Sequence, residues 1–508
     1  MQIEYLGHAG FVVRGGGTSV LVDPFFHPAF LESWFPLPPN RFLLDEVLDQ
    51  RFDFLYISHT HEDHFDRRAL ASVAKDTVVI CPDFRSRSVR RDLGHLGFRE
   101  LVQLGHGSSA ELGAGMTATM LVDTSHKEDS GLLIEHGGTR FLDLNDCHVA
   151  LSEMPRDVDM LAAQFSGAMW YPNCYDYGAP VMQEKVEEVR RNILDTLVRT
   201  VFACDARWYL PSAGPACFLD PSLRRFNDPA ATIFAQWEDV APQFGASCPD
   251  VAVVRMAPGD AVELDRVSGV ALTTRPAPPS ETIEAYAARL GGEWGAHVTR
   301  SFEPVTTDEL GSYFRSLQRK NRHLLEDEPA RQLRLESDGS VWGVLLGAYP
   351  ALEVTYGAPP SADYAIVVPG WVLRRIIDGE TGWEEALLSM RLSLRRQPDV
   401  FDVKLLGFLR YGRQPIQTQQ LVRDSTSRAE MVDRGDVRLP RYCPHAGEDL
   451  SEVPVVDDVI ECPRHHWRWD VRTGQCLSGG NLRLLVEAVD ASVDVRRSDG
   501  PVPGPAGQ

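Results

Sequence analysis

Two short stretches of this chain combine residue types and spacings that hold metals. In residues 57–66, ISHTHEDHFD, three histidines and two acids fall between His59 and His64. Imidazole and carboxylate donors at that density suit a metal that activates water or oxygen. N-capping and surface residues after a strand are the plain alternative, and the density argues against it. In the second stretch, Cys443-x-His445 is followed, after sixteen intervening residues, by Cys462-x-x-His465. Each pair belongs to one tight loop, so each loop can give one ligand to each of two irons. Two cysteines and two histidines are the ligand set of [2Fe–2S] centres in which imidazoles replace half the thiolates. A structural zinc site competes, but a C-x-H pair is a poor zinc-finger spacing. A hydrolytic metal site has no use for an electron carrier, so the pair of stretches raises the question of function.

The elements that must position the first stretch read as alternating strands and helices. IEYLGHAGFVVR and TSVLVDPF are predicted as two strands joined at Gly15–Gly17. FDFLYISH is an apolar run that ends at the histidines, as a buried strand would. FDRRALASVAK is predicted helical and TVVICP extended. SGLLIEHGGTRFLDLND has a hairpin pattern turning at Gly137 and Gly138. Farther on, Val186, Val189, Ile193 and Leu197 share one helical stripe. This rhythm predicts a layered α/β domain over residues 1–272. Residues 273–282, TTRPAPPSET, read as a linker. Residues 283–425 are expected to form a mixed α+β segment, without metal-ligand spacing and without an assigned role. Residues 426–495 are expected to form a small all-β domain around the second stretch, and 496–508 a disordered tail.

Bulk properties narrow the function. The 508 residues, 43% hydrophobic, can support several cores. A formal net charge of −21 argues against general nucleic-acid binding. No run of about 18 apolar residues is present, so no transmembrane helix is expected. The first residues lack a basic-then-apolar leader, which predicts a cytoplasmic protein. The nine cysteines are scattered and odd in number, which suits a reduced setting better than a disulfide framework.

CPHAGEDL and CPRHHWRWD resemble the two loops of Rieske proteins, and HHWRWDVRTGQC the strand that follows the second. The resemblance implies a [2Fe–2S] cluster held by Cys443, His445, Cys462 and His465, with His466 non-ligating. Rieske proteins of respiratory complexes carry an extra cysteine in each loop, joined as a disulfide. Here those places hold Glu448 and Arg464, as in the ferredoxin and oxygenase branch. His59-x-His61-x-Asp63-His64 resembles the signature of the metallo-β-lactamase fold, an αββα sandwich with metals at strand ends. That resemblance implies one site of His59, His61 and a third histidine, for which His126 of DTSHKEDSG is the candidate. Asp63 and His64 belong to the second site, and Asp146 of FLDLNDC matches the bridging acid. The family's last histidine has no counterpart. No histidine lies between His148 and His297, and the expected place reads WYLPSAGPACF, residues 208–218.

The second site is therefore expected to be incomplete. His59, His61, His126 and Asp146 are the first choice of ligands, with Asp63 and His64 left to bind, orient ligands or carry protons. Histidines plus a carboxylate with open positions suit mononuclear non-haem Fe(II); a second metal is the lesser expectation. His8, His106 and His136 belong to no cluster and are expected to be structural.

A Rieske cluster passes single electrons and needs a redox partner. Joined to an iron site that uses O2, it predicts an oxygenase fed by a ferredoxin or reductase. The whole chain resembles the sugar-nucleotide hydroxylases that turn an N-acetyl into an N-glycolyl group, including those of CMP-N-acetylneuraminate and UDP-N-acetylmuramate. GHAGF, DPF, SWFP, SHTHEDHFD, LNDC, QFSGAMWYP, PSAGPACF and RRQPDVFD carry the likeness. The implied activity is a Rieske-type monooxygenase acting on an N-acetyl amino-sugar nucleotide or a related amine or amide. Hydroxylation or N-oxygenation of a small amine is the close competitor. A metallo-β-lactamase-fold hydrolase with a regulatory cluster, and an electron carrier with a binding module, are readings from other classes. Trp170, Tyr171, Tyr175 and Tyr177 are candidates to line the pocket, against plain core packing, and Ser212 to lie near the iron. Arg319, Lys320 and Arg322 read as a solvated helix face rather than phosphate ligands. Many Rieske oxygenases pass electrons between subunits, so a homo-oligomer is expected.

Overall fold

The structure is a computed structural model describing residues 1–276, 282–290, 292, 295, 301–326, 328–426 and 430–489. The tail expected at 496–508 and residues 277–281 of the expected linker lie outside the described residues.

Residues 2–273 build two sheets. Their strands are β1 (Gln2–Gly7), β2 (Gly10–Gly15), β3 (Thr18–Val22), β4 (Phe54–Tyr56), β5 (Val78–Pro82), β6 (Leu101–Leu104), β7 (Ser109–Gly113), β8 (Met116–Val122), β9 (Ser130–His136), β10 (Thr139–Asn145), β11 (Met160–Gln164), β12 (Trp208–Ser212), β13 (Ala252–Val253), β14 (Ala261–Asp265) and β15 (Gly269–Thr273). One sheet runs β15-β14-β1-β2-β3-β4-β5-β6, the other β13-β12-β11-β10-β9-β8-β7.

Side-chain alternation dictates the layers. Phe11, Val13, Val20, Val22 and Tyr56 meet Leu132, Ile134, Phe141 and Met160 between the sheets. The intervening Val12, Leu21 and Leu55 point the other way and pack under the helices that carry Leu70 and Leu93. Likewise Leu133, Leu142 and Leu161 face Leu197, Val201 and Phe244 of helices Ala179–Cys204 and Trp237–Ser247. Both faces of both sheets are apolar, so each needs a cover, and an αββα sandwich results.

The pairs β3–β4, β4–β5, β10–β11 and β11–β12 are parallel. Their carboxyl ends open together, where ligand sites of such sheets form. The loop carrying His59–His64 follows β4, Asp146 follows β10, and Ser212 ends β12.

Two local expectations are corrected. The first predicted strand is instead a hairpin, β1 and β2, broken at His8–Ala9 with a register shift between Tyr5 and Gly7. Gly7 has φ +103°, a left-handed value that ends an extended run. The helix predicted at 65–75 covers only Arg67–Ser72; Asp66 caps it by accepting from the Arg68 and Ala69 N–H groups, and Val73 is already extended.

Downstream, strands Leu352–Tyr356, Ser340–Leu346, Arg331–Ser337, Tyr364–Val367 and Ser393–Arg396 form a five-stranded sheet in that order. Residues 431–488 hold two three-stranded sheets. Their cores merge with loops of the sandwich, as Phe30, Trp34 and Trp170 share one apolar cluster with Leu333, Trp342, Leu387, Leu439 and Trp469. The buried Trp34 indole donates to the Leu388 carbonyl at 2.8 Å. Among the described residues no helix is long and apolar enough to cross a membrane.

Candidate metal centres

Loop 57–66 is held from beneath by carboxylates. Asp23, just past β3, accepts from the Ser58 backbone N–H and the Asn145 amide, each at 2.9 Å. The same carboxylate lies 2.9 Å from His64 Nδ1. Asp129 Oδ1 lies 3.2 Å from His59 Nδ1. An Nδ1–H given to a carboxylate leaves Nε2 as the lone-pair nitrogen, the usual support of a metal-binding histidine. Those nitrogens converge with other donors: His59 Nε2 is 2.9 Å from His61 Nδ1, and His64 Nε2 is 2.9 Å from Asp146 Oδ1. Ligand atoms of His59, His64 and Asp146 lie within 4.8 Å of one another, and so do those of His8, Asp63 and His64.

The donor set fits a divalent cation. His64 Nε2 and Asp146 Oδ1 are buried and form no hydrogen bond despite their 2.9 Å approach. Two donors bound at about 2.1 Å stand about 3.0 Å apart at the right angle of an octahedral ion and about 3.4 Å apart on a tetrahedral one, so the approach matches cis ligands of one octahedral ion. Asp23, Asp63, Asp129 and Asp143 are also buried here, and that much negative charge calls for a compensating cation. Burial, reinforced by Asp146, pushes the Asp129 carboxyl well up; burial and Asp23 do the same to Asp143. Burial disfavours charge on His64, but Asp146 and Asp63 outweigh it and hold that imidazole well above its ordinary range. Burial, then His64 and His61, keep His59 well below its own.

The predicted residues do not all assemble. His59, Asp63, His64 and Asp146 come together. Neither His61 nor His126 joins either group of three; His61 meets the centre only through His59. The His126 ring lies 6.1 Å from that of Tyr411, and burial with Lys127 and Arg410 lowers its pKa to about 3. The preceding segment explains this placement. Ser125 donates twice to Asp123, and a Cβ on Gly447 (φ +64°) would stand 2.4 Å from the Thr124 carbonyl. The His126 loop is thus packed against the first Cys/His loop. His8, expected to be structural, is instead in the centre, with Nε2 at 3.1 Å from Asp63 Oδ2. Ser212 Oγ is buried at the end of β12 without a hydrogen bond. The segment without an assigned role supplies Glu384, 3.9 Å from His61 Nε2 and paired with Arg410.

In the second site, Cys443, His445 and Cys462 place ligand atoms within 4.8 Å of one another. Cys443 Sγ is 2.8 Å from His445 Nδ1. The fourth predicted ligand, His465, lies beyond the other ring nitrogen, its Nδ1 3.1 Å from His445 Nε2, and is outside that group of three. Backbone turns hold both loops, with Gly447 N–H donating to Cys443 and Cys462 N–H to Trp467, each at 2.8 Å. The Trp467 ring stacks on His445 at 4.6 Å. His466 has φ +58° and turns outward to Glu461 at 2.8 Å. None of the nine cysteines is in a disulfide. Where respiratory Rieske proteins carry a disulfide, Glu448 and Arg464 form a fully buried ion pair at 2.9 Å. The same two residues hold the sandwich, Glu448 accepting from Leu151 N–H at 3.1 Å and Arg464 donating to the Val149 carbonyl.

A cavity of about 490 Å³ lies beside the Cys/His loops, and His59, His61, Asp63, His64 and Asp146 are not among its lining residues. His445 and His465 line it, as do His126, Asn145 and His148. The His465 and His148 rings are 6.0 Å apart, and His148 is two residues beyond Asp146. Lys127, Lys185, Arg396 and Arg410 add positive charge to the wall, and Trp170, Tyr171, Phe401 and Tyr411 add aromatic surface. Tyr175 and Tyr177 stand behind that wall, with Arg396 4.7 Å over the Tyr175 ring and the Tyr177 hydroxyl on Asp399 at 2.8 Å. Arg319, Lys320 and Arg322 are not among the lining residues.

Comparison with known proteins defines the class. Residues 2–175 match the family model of the beta-lactamase superfamily domain, and residues 425–485 that of the Rieske [2Fe-2S] domain. The chain therefore joins a metallo-β-lactamase-fold domain to a C-terminal Rieske domain, and its Cys/His site is the place of a [2Fe–2S] cluster. A protein described as a Rieske 2Fe-2S iron-sulfur protein in Mycolicibacterium smegmatis is 29% identical over 95% of this chain and 99% of its own length. The cytidine monophosphate-N-acetylneuraminic acid hydroxylase of Gorilla gorilla gorilla is 28% identical over 42% of this chain and 37% of its own. Among solved structures, the metallo hydrolase Igni18 of Ignicoccus hospitalis covers 51% of this chain and 97% of its own, at 17% identity and a TM-score of 0.34.

Proposed function

We propose that this chain is a Rieske-type non-haem iron monooxygenase that hydroxylates an N-acetyl amino-sugar nucleotide or a related anionic amine or amide. The observation that carries the reading is the presence of two donor sets in one chain, His59 with His64 and Asp146, and Cys443 with His445 and Cys462. Asn145 and His148, neighbours of Asp146 in sequence, line one cavity with His445 and His465. The reaction is RH + O2 + 2 e⁻ + 2 H⁺ → ROH + H2O, with an external ferredoxin or reductase as electron source. Iron held by His59 and Asp146 would supply O2 activation, and the cluster would supply electrons one at a time.

The chain's own residues do the rest. Asp23 and Asp129 fix the imidazole tautomers. Lys185 and Arg396 are already paired with Asp399, so Lys127 offers charge to a phosphate or carboxylate, and Trp170 and Tyr171 a face for a base or sugar. Hydrogen bonds to residues 149 and 151 dock the Rieske loops on the sandwich. The His465 and His148 rings, 6.0 Å apart, offer electrons a route within one chain.

The test is a single turnover. Protein reduced without oxygen, then mixed with ¹⁸O2 and N-acetyl sugar nucleotides, should yield a product carrying one ¹⁸O atom by mass spectrometry. A product that forms equally well without O2 from a zinc-loaded, cluster-free form would replace the oxygenase by a hydrolase. The electron route is tested separately with His148→Ala. Reoxidation of the reduced cluster, followed by stopped-flow absorbance, should slow by about tenfold or more, equivalent to ~1.4 kcal/mol of barrier. An unchanged rate places the route elsewhere.

A further inference from the structure

We infer that His8 is a ligand of a second metal site, which it forms with Asp63 and His64 in place of the late histidine that this chain lacks. The ligand is a first-row divalent cation. The inference needs only the histidine–carboxylate centre and holds whatever reaction that centre performs.

Geometry carries it first. His8 Nε2 is 3.1 Å from Asp63 Oδ2, and the same oxygen is 3.8 Å from His64 Nε2. These separations bracket the ~3.4 Å expected of two donors on one tetrahedral ion. All three side chains are buried, and His64 has no exposed surface. Asp23 takes the Nδ1 side of His64, which leaves Nε2 as its donor, and that atom is buried without a hydrogen bond. Asp146 groups with both His59 and His64 and so stands between the two sites.

The backbone makes the same point independently. His8 holds a left-handed φ of +52°, an uncommon conformation for a residue with a β-carbon. Its carbonyl accepts from the Tyr5 hydroxyl at 3.2 Å and from the Ala213 N–H at 2.9 Å. Ala213 itself has φ +50° and lies in the segment where the family's last histidine was expected. The end of β12 thus gives no imidazole; it props the backbone of a residue that does. The His8 ring is wedged between Phe25 and His64, with centroids at 5.3 and 5.6 Å.

The rival role for His8 is a hydrogen bond that merely orients Asp63, and His8→Gln separates the two. A glutamine amide can donate to Asp63 but is a poor ligand for such a cation. Protein stripped of labile metal, with its cluster iron verified by visible circular dichroism, is titrated with Mn(II), and bound metal is counted by mass spectrometry and EPR. Wild type should take up a second equivalent and show a spin-coupled pair. His8→Gln and His8→Ala should keep the first equivalent with an uncoupled signal. Affinity for the second should fall beyond the ~10–100-fold cost of losing an outer-shell partner. A wild-type protein that stops at one equivalent, or a His8→Gln protein that keeps two, overturns the inference.

Discussion

His59→Ala is expected to lower hydroxylated product by about a thousandfold while leaving the visible and EPR spectra of the cluster unchanged. His59 is almost fully buried, its Nδ1 side is taken by Asp129 and Ser58, and its Nε2 groups with His64 and Asp146. Alanine removes a donor that no neighbour can replace, because His64 and Asp146 already belong to the same group. Loss of a bound metal forfeits several kcal/mol of catalysis, and each ~1.4 kcal/mol is tenfold in rate. The cluster ligands lie on separate loops of the C-terminal domain, so their spectrum should not change. The converse variant, His465→Ala, should erase that spectrum and stop turnover for want of electrons. Product and spectrum are measured on the same preparation. A His59→Ala protein that still forms product at the wild-type rate would move the reaction away from this centre.

The parts of both sites that were legible are the parts written locally. Cys443, His445, Cys462 and His465 come from two tight loops, and a tight loop ties sequence spacing to ligand geometry. The His59–His64 cluster is a single loop after a buried strand, with the same consequence. His8 was missed because it reaches the centre across the sheet, from a hairpin turn some fifty residues earlier. A signal for it existed: GHAG sets a histidine between glycines in an otherwise alternating run, which is where a strand breaks and a side chain can be re-aimed. His126 was placed by analogy, and nothing local records that Gly447 packs on the peptide just before it. The cavity wall was illegible for a related reason. Lys185 comes from a helix far in sequence from the neighbouring strand and helix that carry Arg396 and Arg410, while the conspicuous basic run at Arg319–Arg322 is elsewhere. Glu384 carries no motif, because its link to His61 is made by packing.

Arg464→Met is expected to lower the thermal midpoint of the cluster's visible circular dichroism by at least ~12 °C. The Arg464 and Glu448 side chains are 1% and 2% exposed. Removing one partner of a buried pair leaves the other charge uncompensated, at about 3–5 kcal/mol. In a domain of some 60 residues each kcal/mol is worth roughly 4–8 °C. Glu448→Met with Arg464→Met should recover much of that loss, since no lone charge remains and methionine fills similar volume. The double variant still lacks the acceptor for Leu151 N–H and the donor to the Val149 carbonyl, both just beyond His148. Electron delivery should therefore stay slow in the double variant even where stability returns, as read from cluster reoxidation. That split separates two roles of the pair: neutralising charge between the cluster loops, and pressing those loops onto the sandwich. A disulfide in the same place would supply only a tie between the loops. An Arg464→Met protein with an unchanged midpoint would show that the pair bears no load, and an immediate return of electron delivery in the double variant would remove its docking role.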